Sequence, residues 1–242
     1  MKWGFFGPVH IVSLIFAIAL VVGLYFLLKH LSRKWQIAIL GVLSFSGVFA
    51  IVYNLLAWSD PIYYLPLHLC SLNAMALPFA VFTRNKTICN LLLVWSLGAL
   101  IALVLNFAMV DVEIFSAPFA VYYFPHIMEF GIPILLFKLG LSKKDPRCIV
   151  STVSISMAAY TLAHFVNTFI NNGNFLDAHG NKVFVNYMFS VNSQENALTA
   201  FFYQIIPVEY WYMYMASPVL VIYLCIVYLP QFLSARKARQ TV

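Results

Sequence analysis

The chain of 242 residues is too apolar for a soluble protein, because hydrophobic residues make up 63% of it and charged residues only 9%. Soluble domains carry about 25% charged residues. The formal net charge of +6 would suit nucleic acid, but the positions of the basic residues indicate a membrane instead. We therefore expect a single membrane domain over residues 1–242.

Seven apolar stretches divide the chain, and each is close to the ~20 residues that a helix needs to cross ~30 Å of hydrocarbon. They lie at Pro8–Leu28, Trp35–Trp58, Ile62–Phe82, Ile88–Val110, Pro118–Leu139, Cys148–Ile170 and Tyr210–Leu233. This pattern predicts an all-α, polytopic membrane protein, a seven-transmembrane-helix bundle. The long connection 171–209 is predicted to be an external loop, and its apolar patch Phe201–Pro207 is predicted to be interfacial or re-entrant.

The basic residues define the orientation of the bundle. Twelve of the fourteen Lys and Arg residues lie in alternate gaps: Lys29, Arg33, Lys34, Arg84, Lys86, Lys138, Lys143, Lys144, Arg147, Arg236, Lys237 and Arg239. Cytoplasmic loops carry an excess of Lys and Arg, so the N-terminus is predicted outside and the C-terminus inside. The basic charge then serves topology and anionic lipid, and we expect no nucleic-acid partner.

The third stretch carries the string Leu65-Pro66-Leu67-His68-Leu69-Cys70. A continuous helix from Ile62 would place Cys70 ~12 Å below the outer interface. It would also place Pro66, Cys70 and Asn73 on one face and His68 on the other. We therefore do not expect His68 to be the partner of Cys70.

The fifth stretch brings Tyr122, Tyr123, His126 and Glu129 in from the outside. His126 and Glu129 are three residues apart and share a helix face. A carboxylate beside an imidazole can orient the ring as a general base. The alternative is a buried pair that satisfies itself and only holds two helices together.

A polar stripe follows the sixth stretch toward the outer end. Its members are Tyr160, Thr161, His164, Asn167, Thr168 and Asn171. Such stripes commonly hold helices together, and we predict this role for Thr161 and Thr168. His68, Asn73, Tyr122, Tyr123, His164 and Asn167, with Asn186 and Tyr187 of the loop, are the predicted substrate-binding residues. Asn54, Asn106 and His10 lie near the outer ends of other helices, and His10 is expected to face interfacial water.

Cys70 has two interpretations. A lone cysteine in a membrane helix is usually a small apolar filler, but this one is predicted in the same layer as His126, and a Cys–His pair is the minimum set for an activated thiolate. His68, His126, His164 and Glu129 would alternatively suit zinc. No HxxxH or CxxC spacing supports that use, so we expect neither a metal nor another cofactor.

The LPLHLC string ending at Cys70, His126 in a tyrosine-rich fifth helix, and Asn186-Tyr187-Met188-Phe189 together resemble the YwaF-like bacterial membrane proteins, which are related to animal transmembrane protein 164. The resemblance covers most of the chain. It implies a bacterial plasma-membrane acyltransferase or lipid hydrolase, with Cys70 as the nucleophile and His126 as the base.

Three functions follow from these patterns. The first is a lipid acyltransferase or acyl-lipid hydrolase that works in the outer leaflet on a phospholipid or other acyl lipid, with Cys70, His126 and Glu129 as catalytic residues. The second is a transporter for a small solute or a proton, which the apolar inner halves of the helices disfavour. The third is a lipid-binding membrane protein without catalysis.

Overall fold

A computed structural model describes residues 1–105 and 109–240, so the predicted role of Asn106 lies outside the described residues. The described chain is built from helices, and its β-type pairing is limited to isolated bridges such as Lys2–Glu113. Five segments are long and apolar enough to cross a membrane: Pro8–Leu28, Arg33–Ala57, Lys86–Leu105, Ala117–Lys138 and Pro146–Asn172. Shorter apolar segments lie at Leu69–Thr83 and Trp211–Val227. The protein is therefore an α-helical, multi-pass membrane protein.

The helices are numbered in chain order. They are α1 Pro8–Leu28, α2 Arg33–Ala57, α3 Leu69–Thr83, α4 Lys86–Leu105, α5 Ala117–Lys138, α6 Ile149–Asn172, α7 Ala197–Ile205, α8 Ala216–Val227 and α9 Leu229–Gln240. The predicted stretches agree with α1, α2, α4, α5 and α6 to within a few residues at most ends. The short helix α7 begins at an Asn196 cap and contains most of the predicted apolar patch.

Helix α3 begins seven residues later than predicted, at Leu69 instead of Ile62. The cause is Pro66, because a proline disfavours the helical conformation of the residue before it. Leu65 accordingly has φ −55° and ψ 139°, and a short 3₁₀ turn, Pro61–Tyr64, precedes it. The predicted shared helix face of Pro66 and Cys70 is therefore wrong. Cys70 lies on the first turn of α3, and the predicted depth of eight helical residues is wrong as well.

The last apolar stretch is not one helix. A 3₁₀ turn at Trp211–Met215 leads into α8, and α8 ends at Val227 before α9 starts at Leu229. Pro230 explains the break, because proline is tolerated only in the first turn of a helix and disrupts a helix that precedes it.

The residues form two compact units by internal packing. Unit 1 comprises Met1–Ala57 and Leu69–Lys143, and unit 2 comprises Trp58–His68 and Lys144–Val242. In unit 1, α2 packs on α3 and α5, and α4 packs on the same two helices. In unit 2, α6 packs against α8 and against the 3₁₀ turn Tyr187–Phe189.

The N-terminal segment of unit 1 folds onto the α4–α5 connection. Trp3 is fully buried, and its indole N–H donates to Ser13 Oγ at 2.7 Å. His10 is also fully buried, with Nε2 2.9 Å from the Leu103 carbonyl oxygen. The prediction that His10 faces interfacial water is therefore wrong, because two backbone groups satisfy both of its ring nitrogens.

Candidate functional site

Cys70 is the second residue of α3 and is only partly buried, whereas Cys89 and Cys148 are buried. The first turn of a helix exposes unsatisfied backbone N–H groups at the positive end of the helix dipole. These N–H groups favour negative charge on a nearby sulfur, whereas the Glu129 carboxyl opposes it.

A proline fixes the contact between α3 and α5. Pro133 has no N–H, so the carbonyl of Glu129, four residues earlier, loses its partner within α5. Asn73 of α3 replaces that partner, because its Nδ2 donates to the Glu129 carbonyl oxygen at 3.1 Å. Asn73 is fully buried. This bond sets the register of the two helices against each other.

His126 has a defined tautomer. Its Nδ1 lies 2.6 Å from the Tyr122 carbonyl oxygen, and since a carbonyl only accepts, Nδ1 carries the proton. The Tyr122 ring lies against the imidazole, with centroids 4.2 Å apart, and the Tyr122 hydroxyl donates to Ala102 O at 3.0 Å. The Tyr122 carbonyl, and not Glu129 as predicted, thus contacts Nδ1. Nε2 keeps the lone pair that a general base needs.

The Glu129 carboxyl lies in the core between α2, α3 and α5. A methyl group on Gly47 would lie 2.9 Å from Glu129 Oε1 and 2.6 Å from the Ala74 Cβ. Among the described residues, neither Glu129 Oε2 nor Asn73 Oδ1 has a hydrogen-bond partner, although both are buried. The carboxyl also interacts electrostatically with the Cys70 thiol. A buried acceptor without a donor is costly, so this polar pair needs a functional explanation.

Sequence reasoning missed Gly47, although α2 carried a signal. Gly41, Ser44, Gly47 and Ala50 recur every three residues and are all buried. Small residues at such spacing mark close helix contacts in membranes. This stripe provides the space that the Glu129 carboxyl occupies.

Tyr123 belongs to an aromatic cluster that lies on α1. Its hydroxyl donates to the Ser13 carbonyl, and its ring stacks on Phe119 at 4.8 Å and meets Trp3 edge-on at 5.7 Å. Tyr123 and Phe119 also line an apolar groove of about 570 Å³ along α1 that extends to Phe16.

In unit 2, two asparagines of α6 hold the long loop. Asn171 exchanges hydrogen bonds of 2.9 and 2.8 Å with the backbone of Val185, and Asn167 exchanges bonds of 2.9 Å with the backbone of Tyr187. The two asparagines are four helical residues apart, a rise of ~6 Å, and their two partners are two extended residues apart, a rise of ~6.6 Å. Because the two spacings are nearly equal, each asparagine can bond to one loop residue. Both asparagines thus act as backbone partners for the loop.

His164, three residues before Asn167 on α6, also contacts the loop. Its Nδ1 lies 3.2 Å from Ser190 Oγ, and Asn167 Nδ2 donates to the same oxygen at 2.8 Å. Ser190 is fully buried. Ser190 carried no sequence signal, because it lies in an irregular loop without a periodic pattern. The contacts of His164 and Asn167 are therefore contacts to the loop.

The other predicted residues of unit 2 also contact the loop. His68 Nδ1 accepts from Met188 N–H at 3.4 Å, and its ring meets Tyr187 edge-on at 5.5 Å. The Tyr187 hydroxyl donates to the Ile62 carbonyl. Asn186 donates to Glu195 Oε2 at 2.8 Å. His68 lies one residue before the start of α3, so the predicted placement of His68 and Cys70 on opposite faces of one helix is wrong. The contacts of His68 lie within unit 2.

No group of three or more His, Cys, Asp or Glu residues within 1–105 and 109–240 could hold a metal ion. In unit 1, Asn73 bonds to the backbone of Glu129, and the Glu129 carboxyl interacts with the Cys70 thiol, so an amide, a carboxyl and a thiol lie near one another. The His126 imidazole lies on the same helix as Glu129. These groups can exchange protons and donate or accept hydrogen bonds.

The fold and this buried cluster define an α-helical multi-pass membrane protein with a polar site inside a helix bundle. Residues 5–228 match the TMEM164 family model, and the chain belongs to the TMEM164 family. The predicted relation to transmembrane protein 164 is therefore confirmed. Comparison with curated proteins and with solved structures gives no match.

Proposed function

We propose that this protein is a membrane-embedded acyltransferase or acyl-lipid hydrolase that forms a thioester on Cys70, with His126 as the base. The observation that carries the proposal is the hydrogen bond from Asn73 to the Glu129 carbonyl at 3.1 Å. That bond sets the heights of α3 and α5 against each other.

The same bond also determines the relative heights of Cys70 and His126. Cys70 lies three residues before Asn73, and His126 lies three residues before Glu129. The helices α3 and α5 run in the same direction, because each packs on the intervening helix α4 and the α3–α4 connection is short. Three helical residues rise ~4.5 Å in both helices, so the thiol and the imidazole come to the same level.

The chemistry needs only these two groups for proton transfer. His126 Nε2 takes the proton of the Cys70 thiol, and the thiolate attacks the ester carbonyl of an acyl lipid. The ester C–O bond breaks, and Nε2–H protonates the departing oxygen. An acceptor hydroxyl or water then gives its proton to Nε2 and attacks the thioester. The C–S bond breaks, and Nε2–H gives its proton to the sulfur, so the thiol and the neutral imidazole are both regenerated.

The substrate class follows from the surroundings of the site. The partial exposure of Cys70 suits a substrate that arrives from the lipid. The apolar groove of about 570 Å³ beside Tyr123 offers space for an acyl chain of a phospholipid in the same unit. Tyr122 holds the base, and His68, His164, Asn167, Asn186 and Tyr187 support the loop that we propose helps to bind the substrate.

The proposed topology has seven crossings, with the short helices α3 and α8 in two of them. The basic residues of the connections favour an outside N-terminus and an inside C-terminus. Because α3 then enters from the outside, Cys70 at its start works in the outer leaflet. The resemblance to bacterial proteins favours the plasma membrane as the location.

The test compares two cysteine variants of the same unit in nanodiscs with a phospholipid labelled in its acyl chain. Cys70→Ala should lower acyl transfer or hydrolysis by about a thousandfold or more, since the nucleophile is lost. Cys89→Ala removes a buried thiol that contacts the Ala80 carbonyl at 3.7 Å, and it should keep the parent rate. Equal rates for Cys70→Ala and the parent would end the proposal.

A further inference from the structure

A second groove lies at the other end of unit 1, on the outward face of α2. It has a volume of about 280 Å³ and is lined by Trp35, Ala38, Ile39, Val42 and Leu43. Every lining residue is apolar, and Trp35 and Val42 are 64% and 75% exposed. The groove extends over nine residues, or ~12 Å, which is close to the ~15 Å of one leaflet's hydrocarbon.

Two cations directly precede the lining residues of this groove on α2. Arg33 and Lys34 are the first residues of α2, and both are exposed. Arg33 Nη2 donates to the Gly140 carbonyl oxygen at 2.8 Å. This bond positions the guanidinium and uses one of its five N–H donors, and the others remain for an anion. Lys138, two residues before Gly140, is exposed in the last turn of α5.

Within the described residues of unit 1, no ion pair is formed between these cations and an acidic side chain. Residues 1–57 contain neither Asp nor Glu. The acids of the rest of unit 1 are Asp111, Glu113 and Glu129. Asp111 pairs at 2.7 Å with Lys2, which precedes the N-terminal end of α1, and Glu129 lies in the core. The end of α2 that carries Arg33 and Lys34 is therefore positive, while the lining of the groove is apolar.

We propose that this groove binds one phospholipid with an anionic headgroup. The lipid phosphate lies on Arg33 and Lys34, and one acyl chain lies on the face from Trp35 to Leu43. Charge complementarity selects the headgroup, and the length of the groove fits one leaflet. The lipid is bound and not turned over, because the groove contains no nucleophile. This site is independent of the catalytic proposal.

Quenching of Trp35 fluorescence by bromine on lipid chains measures this binding directly. The full chain is placed in bilayers that mix phosphatidylglycerol and phosphatidylcholine, with bromine on the chains of one lipid at a time. The difference from Trp35→Phe isolates the signal of Trp35 among the five tryptophans. We expect brominated phosphatidylglycerol to quench Trp35 at an about twentyfold lower mole fraction than brominated phosphatidylcholine, since two cations contribute about fivefold each.

The charge variants test the site itself. Arg33→Gln with Lys34→Gln should weaken the preference for phosphatidylglycerol by about tenfold or more, since each cation near a membrane surface contributes about fivefold. Lys34→Gln alone keeps the Arg33–Gly140 bond and should weaken the preference by about fivefold. The matched control Arg84→Gln with Lys86→Gln removes one basic residue of the α3–α4 connection and the first residue of α4, and it should stay within about twofold of the parent.

Three results would overturn the proposal. Equal quenching by both brominated lipids would mean that the groove does not select an anion. Equal losses in the two double variants would assign the preference to general surface charge. Absence of quenching by either lipid would mean that protein, such as a second copy of the chain, covers α2.

Discussion

Buried asparagines in the two units are used differently. In unit 2, Asn167 donates twice and accepts once, so its amide is fully engaged with the loop. In unit 1, Asn73 donates once to Glu129 O, and its Oδ1 has no partner among the described residues. The comparison separates two roles for one residue type. A satisfied amide builds structure, and an unsatisfied one keeps capacity for chemistry.

The free-energy cost of buried polar atoms without a partner supports this separation of roles. Each buried acceptor without a partner costs about 1–3 kcal/mol, and the Asn73 and Glu129 oxygens are two of four such buried atoms among the described residues of unit 1, the others being the Ser46 and Ser142 hydroxyls. The packing of α2, α3 and α5 must offset that cost. A polar group that costs stability and is nevertheless held in a core suits a site that a substrate or a proton completes.

The largest expected effect on structure lies in unit 2. Asn167→Ala should destabilise the docked loop by about 3 kcal/mol, because it leaves the buried N–H and C=O of Tyr187 unpaired. Hydrogen exchange of the loop peptides measures this. Asn172→Ala, an exposed neighbour on α6, is the control and should change exchange by less than about 0.5 kcal/mol. Unchanged exchange in Asn167→Ala would contradict the structural role.

A smaller effect is expected in unit 1 from Gly47→Ala. The added methyl group would lie 2.6 Å from the Ala74 Cβ and 2.9 Å from Glu129 Oε1, and overpacking of this kind costs about 1–3 kcal/mol. Thermal unfolding in detergent measures it. Gly23→Ala meets no atom within 4 Å, so this change should be neutral or stabilise α1 by up to ~1 kcal/mol. Equal Tm values for the two variants would disprove the close approach at Gly47.

Glu129→Gln sharpens the comparison further. The amide has the shape of the carboxyl, so stability should change by less than ~1 kcal/mol. A carboxylate at this position opposes negative charge on the Cys70 sulfur, and because the amide cannot become charged, we expect acyl transfer to rise by about threefold or more. Glu113→Gln, which removes an exposed carboxylate of the same unit, should keep full activity. If Glu129→Gln lost stability but kept its rate, the carboxyl would be structural.

The smallest effect concerns Asp177 in the loop of unit 2, a carboxylate whose surroundings contrast with those of Glu129. The backbone N–H groups of Asn181 and His179 donate to it, and the bond from Asn181 is the main cause that lowers the pKa of Asp177. Because the folded pKa is depressed, the turn is fully stabilised above the unfolded pKa of about 3.9. This stability is lost as the pH falls through the folded pKa. NMR of the Asn181 amide should report order at pH 7 and its loss at acid pH, and Asp177→Asn should remove that dependence.

Most of the helices could be predicted from the sequence, because apolar length alone fixes where a helix can cross a membrane. The bounds of α1 agree with the prediction at both ends. Two prolines caused the errors, since Pro66 delays α3 and Pro230 separates α8 from α9. The effect of proline on a helix was not included in a prediction made from apolar runs.

The candidate side chains of the site can be identified from the sequence, but the groups that they contact cannot. The spacing of His126 and Glu129 indicated one face, yet the Tyr122 carbonyl contacts the ring. Gly47, on another helix, defines the space around the carboxyl. The stripe at His164 and Asn167 was visible, but its partners Ser190 and Tyr187 lie in a loop without periodicity. Contacts between distant segments depend on packing that no local pattern encodes.

The most direct test of the central claim is the mass of the intact protein after incubation with an acyl phospholipid. The account predicts a single acyl adduct on Cys70 that hydroxylamine removes and that does not form in Cys70→Ala. His126→Ala should slow its formation strongly. A protein that turns over lipid without an adduct, or that carries the acyl group at another residue, would contradict the account.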